Sequence, residues 1–405
     1  MGTYILLGAA GGYISGAPIY HRNKALYMRQ QGWNVYYISC CSGEIYVKGL
    51  EQFVIGVYSF LCMDAYLFPR KRQDKLIDVI IKQIPDLGKD IVIETGTYYT
   101  AYWGELLAKR LNAKHVIVYL DEHNDGITRN EADFFHFKFI RNELACISKK
   151  AMIEIFSPFW NVNEANAVEL PCYCSNSLDD YKNDIESLIC RKDYNVGYIG
   201  RLEKPALKAV ISALKDFVRL IGDKRVALIC LGGAEECVVN EINEMISNIP
   251  NVSLFISGYI YPIPLNAIKK CDIVFSSAGS AKVSVKAEIP TVKMNVYSNK
   301  PEGFLVKIFP ESLIKYSDEY DVIDYLKIFF IDNVRPAMSH YSLDKEKQQG
   351  YKMLRLHDAF LDNAMNSKDY YDISSIHLTL MQRIVNMFIL CCGMRIIPYI
   401  KSLIK

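Results

Sequence analysis

The chain has 405 residues, 51% apolar and 23% charged, with a formal net charge of +2. That length exceeds one ordinary core and predicts two domains of roughly 150–200 residues, while the balanced charge excludes a general affinity for nucleic acid. The twelve cysteines are scattered, and the close pairs Cys40-Cys41, Cys172/Cys174 and Cys391-Cys392 lack the paired CxxC spacing of a zinc site, so reduced thiols and no metal are expected.

The chain opens MGTYILLGAAGGY, an apolar strand with no basic segment before it, and no apolar run reaches the roughly 18–20 residues of a membrane span. A cytoplasmic protein is the expectation. Residues 4–7 read as the first strand, and Gly8, Gly11, Gly12 and Gly16 make a long loop where backbone can approach a ligand. The spacing GAAGGYISG is not the GxGxxG dinucleotide fingerprint. A helix runs from Pro18 to a stop at Gly32, and residues 35–38 form the next strand.

Further βα units follow: a helix over 75–83, a strand over 90–94, a helix over 101–111 and a strand over 115–120. That strand delivers Asp121, Glu122 and His123 to its carboxyl end, where ligands of open parallel sheets sit. Two acids and a histidine there suit acceptor binding or proton handling, or else form an Asx-rich helix start with a solvated histidine. Metal binding by Asp121, His123 and Asp125 lacks a partner segment. A helix over 136–144, a strand over 145–147 and a helix opened by Ser148 close a first domain over 1–165, and 166–192 reads as a linker.

A second strand–loop–helix unit starts at Asn195. Its loop carries Gly200, Arg201 and Lys204, a glycine and two cations suited to clamping a diphosphate, before a helix over 206–221. Strands over 226–231 and 252–256 flank a helix over 235–247. The stretch CDIVFSSAGSAKVSVKAEIPTVKMN then reads as strand, small-residue turn, helix and strand. At Ser277, Gly279, Ser280 and Ala281 the turn opens a helix N-terminus, whose N–H groups and dipole favour phosphate; the plainer reading is a βα turn with an N-cap. The second domain spans 193–335. The fold class expected is α/β, two Rossmann-like domains facing each other across a cleft, with a C-terminal helical tail over 336–405.

VGYIGRLEK, ALKAVISAL, ICLGG and NVSLFISGYI, followed by AIKKCDIVFSSAGSAKVSVKAEIPTVKMN, resemble the donor-binding half of a GT-B glycosyltransferase. The likeness is to the retaining, nucleotide-sugar-using family 4 type of capsule, O-antigen and exopolysaccharide assembly. GGYISGAPIYHRNKALYMRQQGWNVYYIS is similar to that family's first Gly-rich loop and helix, so the resemblance covers roughly residues 1–330. The family's Glu, seven residues, Glu pattern is missing: SSAGSAKVSVKA holds no acid, and Glu288 lies only two residues before Pro290. KPEGFL at 300–305 mimics the family's EGFGL but follows the strand it should precede, and reads as coincidence.

The resemblance implies transfer of a sugar from a nucleotide-sugar substrate to a lipid-linked or saccharide acceptor, with no cofactor and no metal. Arg201 and Lys204 would stabilise the departing diphosphate, helped by Gly200 and the turn at 277–281. Gly11, Gly12, Asp121 and Glu122 would lie on the acceptor side, with His123 positioning a sugar hydroxyl. A nucleotide-sugar 2-epimerase of the same fold, or a non-catalytic subunit of a polysaccharide assembly complex, are the alternatives. In the tail, residues 354–364 read as helix. Residues 378–405, LTLMQRIVNMFILCCGMRIIPYIKSLIK, combine apolar residues with Arg383, Arg395, Lys401 and Lys405 and no acid. That composition fits a helix in a membrane interface, or one packed back on the first domain.

Overall fold

The computed structural model describes residues 2–124, 126–174, 177–179, 181, 183–308, 310–338, 343–364 and 369–392. In the first half, Thr3–Gly8 (β1), Gly16–Gln30 (α1), Asn34–Ser39 (β2), Val54–Val57 (β3), Arg70–Ile81 (α2), Ile91–Thr95 (β4) and Tyr98–Leu111 (α3) lead to Lys114–Tyr119 (β5), Ala132–Ile140 (α4), Leu144–Cys146 (β6) and Lys149–Phe156 (α5). The six strands form one parallel sheet in the order β3-β2-β1-β4-β5-β6. Strands buried on both faces need near-continuous apolar runs, which is what YILL, IVI and HVIVY supply.

Leu178–Asp179 (β7) and Ile185–Leu188 (α6) connect to the second half, where β7 pairs with Ile263–Pro264 (β11). The second half comprises Tyr194–Ile199 (β8), Pro205–Ile221 (α7), Val226–Leu231 (β9), Glu236–Ser247 (α8), Val252–Ile256 (β10), β11, Leu265–Ile268 (α9), Ile273–Ser277 (β12), Ala278–Lys286 (α10) and Thr291–Met294 (β13). Pro301–Ile308 (β14), Glu311–Ile314 (β15) and Val322–Phe330 (α11) complete it. Its seven-stranded sheet runs β10-β9-β8-β12-β13-β14-β15, with β14 and β15 antiparallel. Helix α7 follows from its pattern: Pro205 stands at the helix start, and Val210, Ala213, Leu214, Phe217 and Val218 recur on the buried face.

The 300–305 segment leads into antiparallel β14, in keeping with reading its likeness to EGFGL as coincidence. Helix α4 begins at Ala132 and ends before Asn142, whose φ of 55° turns the chain out of the helix and into β6.

Leu343–Asn363 (α12) and Leu380–Cys392 (α13) lie against the first half. Leu354, Phe360 and Leu361 of α12 join the core formed by Tyr20, Tyr27 and Met28 of α1. Asp358 accepts a hydrogen bond from the Tyr27 hydroxyl, and Tyr20 Oη lies 3.3 Å from His357 Nδ1. Beneath them the buried carboxylate of Glu94 accepts from the hydroxyls of Tyr4 and Tyr20, the latter at 2.6 Å, with Lys24 Nζ at 3.9 Å. A buried charge is tolerated only when paired and hydrogen-bonded, so these groups fix how α1 and α12 sit on the sheet.

Candidate functional site

In an open parallel sheet, ligands bind outside the strand carboxyl ends where the strand order reverses. The reversal falls between β1 and β4 in the first sheet and between β8 and β12 in the second. The turns leaving β8 and β12 are the ones that carry Gly200, Arg201 and Lys204 and the small residues at 277–281. The loop leaving β1 holds Gly11 and Gly12.

Pairing of β8 with both β9 and β12 fixes the second-domain turns. Ser276, fully buried, donates from Oγ to the Ile199 carbonyl at 2.6 Å and locks the end of β12 to β8. A Cβ on Gly232 would stand 1.9 Å from the Gly200 carbonyl oxygen, so only glycine lets the β9 turn nest on the β8 turn. Gly200 itself has φ of 147°. Arg201 then emerges half-exposed, with Nη1 3.3 Å from Glu203 Oε1, and Lys204 is the N-cap of α7. Burial and then Arg201 push the Lys204 amine below its ordinary pKa, while Glu122 pulls it back up.

At the β12 turn, Ser277 is the N-cap of α10 in extended backbone, and Ala278 follows with φ of 49°. A left-handed alanine is strained, a feature that concentrates at functional turns. Gly279 and Ser280 are half-buried in the first turn. Ala281 is fully buried against Leu305 and Ile308, so only its backbone N–H can serve a ligand. Lys282, not singled out in the sequence, follows the first turn of α10, 3.8 Å from Glu311.

On the first domain, Gly11 and Gly12 meet protein. A Cβ on Gly11 would lie 2.7 Å from the Gly43 carbonyl oxygen, and the Gly12 N–H donates to the Glu44 carbonyl at 3.0 Å. These glycines therefore join the loops after β1 and β2, and the loop presents Tyr13. Burial raises the Tyr13 pKa most, Cys41 and Cys40 raise it further, Arg201 opposes them and Asp121 adds to the rise. Tyr13 is thus within electrostatic reach of both the β8 turn and the β5 end.

Asp121 is half-buried and Glu122 exposed just past β5. His123 Nδ1 donates to Glu154 Oε1 of α5 at 2.6 Å, and its ring lies edge-on to Tyr297 of the second domain at 5.3 Å. Lys150 Nζ stands over that Tyr297 ring at 4.6 Å. A second aromatic contact, Tyr46 with Tyr259 at 5.0 Å, also joins first-domain and second-domain residues. His123 thus meets Tyr297 of the second domain, and Glu122 lies within electrostatic reach of Lys204. Tyr297 and Lys150 were not legible as neighbours because their contact depends on how the two domains face, whereas Tyr13, Glu154 and Lys282 meet their neighbours only through folding of separate segments.

No family model matches the sequence, and no curated protein does. Solved structures do match. A glycosyltransferase from Rickettsia africae ESF-5 superposes with a TM-score of 0.54 at 15% identity over 96% of this chain and 99% of that one. Anabaena Alr3699/HepE in complex with UDP-glucose gives 0.49 at 13% identity, covering 98% and 99%. A UDP-GlcNAc 2-epimerase from Methanocaldococcus jannaschii gives 0.39 at 12% identity, covering 96% and 100%. The fold is the two-domain GT-B fold expected from the resemblance.

Proposed function

We propose that the protein is a glycosyltransferase that moves a sugar from a nucleoside-diphosphate donor to a hydroxyl of a lipid-linked or saccharide acceptor. The observation that carries this reading is the placement of Arg201, Lys204 and the α10 N-terminus at one strand-order reversal, opposite the Asp121–His123 cluster. The glycosyltransferase from Rickettsia africae shares this fold. The glycosidic bond to the diphosphate breaks, a new bond forms to the acceptor oxygen, and the acceptor's proton passes to the departing phosphate. That chemistry asks the protein to orient two substrates and stabilise a leaving group. Arg201, Lys204 and the N–H groups at 279–281 supply the stabilisation. His123, turned by Glu154, offers Nε2 to a sugar hydroxyl. Retention of configuration and a role in capsule, O-antigen or exopolysaccharide synthesis rest on the sequence resemblance.

A thermal-shift screen against UDP, GDP, ADP and CMP tests the donor half, because a ligand of the native state raises apparent stability. Slow hydrolysis of the matching nucleotide sugar is expected as well. Sugar interconversion without an acceptor would mark an epimerase, and a protein that neither binds nor hydrolyses any donor would be a scaffold.

The tail supports attachment to an anionic membrane surface. Among the described residues no helix is long and apolar enough to cross a bilayer. Helix α13 docks through Gln382 and Asn386, which bond Tyr66 Oη and the Leu67 carbonyl, and through buried Ile389. It leaves Leu380, Met381, Met387, Phe388 and Leu390 exposed, with Leu380 at 78%. An ordinary surface helix buries its apolar face, whereas a helix lying in a lipid interface presents it. Arg395, Lys401 and Lys405 follow in sequence, outside the described residues.

A further inference from the structure

Cys40 and Cys41 follow β2, and Cys62 ends the short 3-10 turn Ser59–Cys62 on another part of the chain. Their sulfur atoms all lie within 4.8 Å of one another. Cys41 Sγ is 3.9 Å from Cys40 Sγ and 3.9 Å from Cys62 Sγ. Thiolates bound at the usual zinc–sulfur length of about 2.3 Å stand about 3.8 Å apart in a tetrahedron and about 4.0 Å apart in a trigonal plane. Two of the three edges therefore already have the span of a coordinated set.

The frame around the sulfurs is fixed. Ser39 Oγ donates to the Cys41 carbonyl at 2.8 Å; the Cys62 thiol donates to the Cys40 carbonyl at 3.0 Å, a bond that is given up when Cys62 binds the ion as thiolate. The chain just past Cys62 is held by the indole of buried Trp103, whose Nε1 donates to the Met63 carbonyl at 2.7 Å. Cys40 is buried, whereas Cys41 and Cys62 are half-buried.

We propose that Cys40, Cys41 and Cys62 form a zinc site that ties the loop after β2 to the turn ending at Cys62. Binding replaces three S–H bonds by three Zn–S bonds and releases three protons to solvent. The site then carries one net negative charge; a cuprous ion would leave two, which costs more where burial already opposes thiolate formation. The loop so braced is the one whose Gly43 carbonyl packs on Gly11, so the ion would hold the first-domain wall of the cleft.

The test uses the full chain, reduced with a phosphine and stripped of metal. Zinc is titrated against a chromophoric chelator, and cobalt(II) is added separately as a spectroscopic probe. One zinc per chain, release of three protons, and a sulfur-to-cobalt charge-transfer band are expected. Cys62→Ser should weaken zinc at least tenfold and reduce that band, while Cys172→Ser should leave both unchanged. Retained stoichiometry and affinity in Cys62→Ser, absence of the band, or uptake of cuprous ion but not zinc would overturn the proposal. Should Cys62→Ser fail to fold, alkylation of the wild-type chain decides: zinc must protect the peptides holding Cys40, Cys41 and Cys62, and their equal labelling with and without zinc refutes the site. None of these readouts needs nucleotide binding, so they stand apart from the proposed transferase activity.

Discussion

Arg201 is the residue on which the donor half of the proposal turns, and its surroundings set the size of the effect. A charge-assisted hydrogen bond contributes about 1.5–3 kcal/mol. Before ligand arrives, Arg201 is paired at 3.3 Å with Glu203, and both side chains are nearly half exposed, at 44% and 41%. Such an exposed pair is worth about 0–1 kcal/mol and must loosen for the guanidinium to turn to phosphate. Arg201→Ala should therefore weaken nucleoside-diphosphate binding by about 1–3 kcal/mol, or roughly 5- to 150-fold in Kd. Removing Arg201 also relieves the cationic repulsion that helps push Lys204 down, so the loss should fall toward the lower end. Glu203→Gln should act in the opposite sense, tightening binding by up to about fivefold, because the competitor for Arg201 is gone. Calorimetry with the diphosphate that gives the largest thermal shift measures both. Wild-type affinity in Arg201→Ala, or weaker binding in Glu203→Gln, would remove Arg201 from the site.

Three further outcomes are expected. His123→Ala should lower turnover by about 10- to 100-fold with donor affinity nearly unchanged, and collapse of nucleotide binding in a folded variant would refute the division between the domains. Full-length protein should float with anionic liposomes and a chain ending before Leu378 should not; equal flotation rules out the tail as anchor. Burial lifts the Asp64 carboxyl to about 7, with Glu131 adding to the rise and Tyr66 opposing it. A carboxyl raised on folding contributes stability at low pH that is lost between its unfolded value of about 3.9 and its folded one. Asp64→Asn should therefore raise the Tm at pH 8 relative to wild type and lose that advantage near pH 4, and an equal shift at both pH values would contradict the assignment.

Much of the second domain was legible because its strands are short, apolar and bounded by turn residues. Strands β9 and β10 fall at the residues that VALICL and VSLFI imply, and the unit from β12 to β13 matches the order read from CDIVFSSAGSAKVSVKAEIPTVKMN. What stayed hidden lacks a local signature. Helix α2 starts at Arg70, five residues before the sequence placed it, because Arg70-Lys71-Arg72 carries no apolar period. Strands β14 and β15 are an antiparallel addition to a parallel sheet, and nothing in KPEGFLVKI marks the reversal. The thiol cluster was invisible for the same reason. Cys62 approaches Cys40 and Cys41 only because the 3-10 turn packs Phe60 against Trp103, their rings 5.0 Å apart.

The glycines show why composition alone misplaces a site. Gly11 and Gly12 looked like backbone cleared for a ligand, yet they are cleared for, or bonded to, another loop of the protein, as is Gly232. Their effect on the cleft is indirect. Nesting Gly232 on Gly200 fixes the turn from which Arg201 and Lys204 emerge, and packing Gly11 on Gly43 fixes the loop that presents Tyr13. A bulkier residue at Gly232 would displace the β8 turn as a unit, moving both cations together. The phosphate-binding geometry is therefore a property of two turns held against each other, and the charged side chains at their tips depend on contacts that carry no charge.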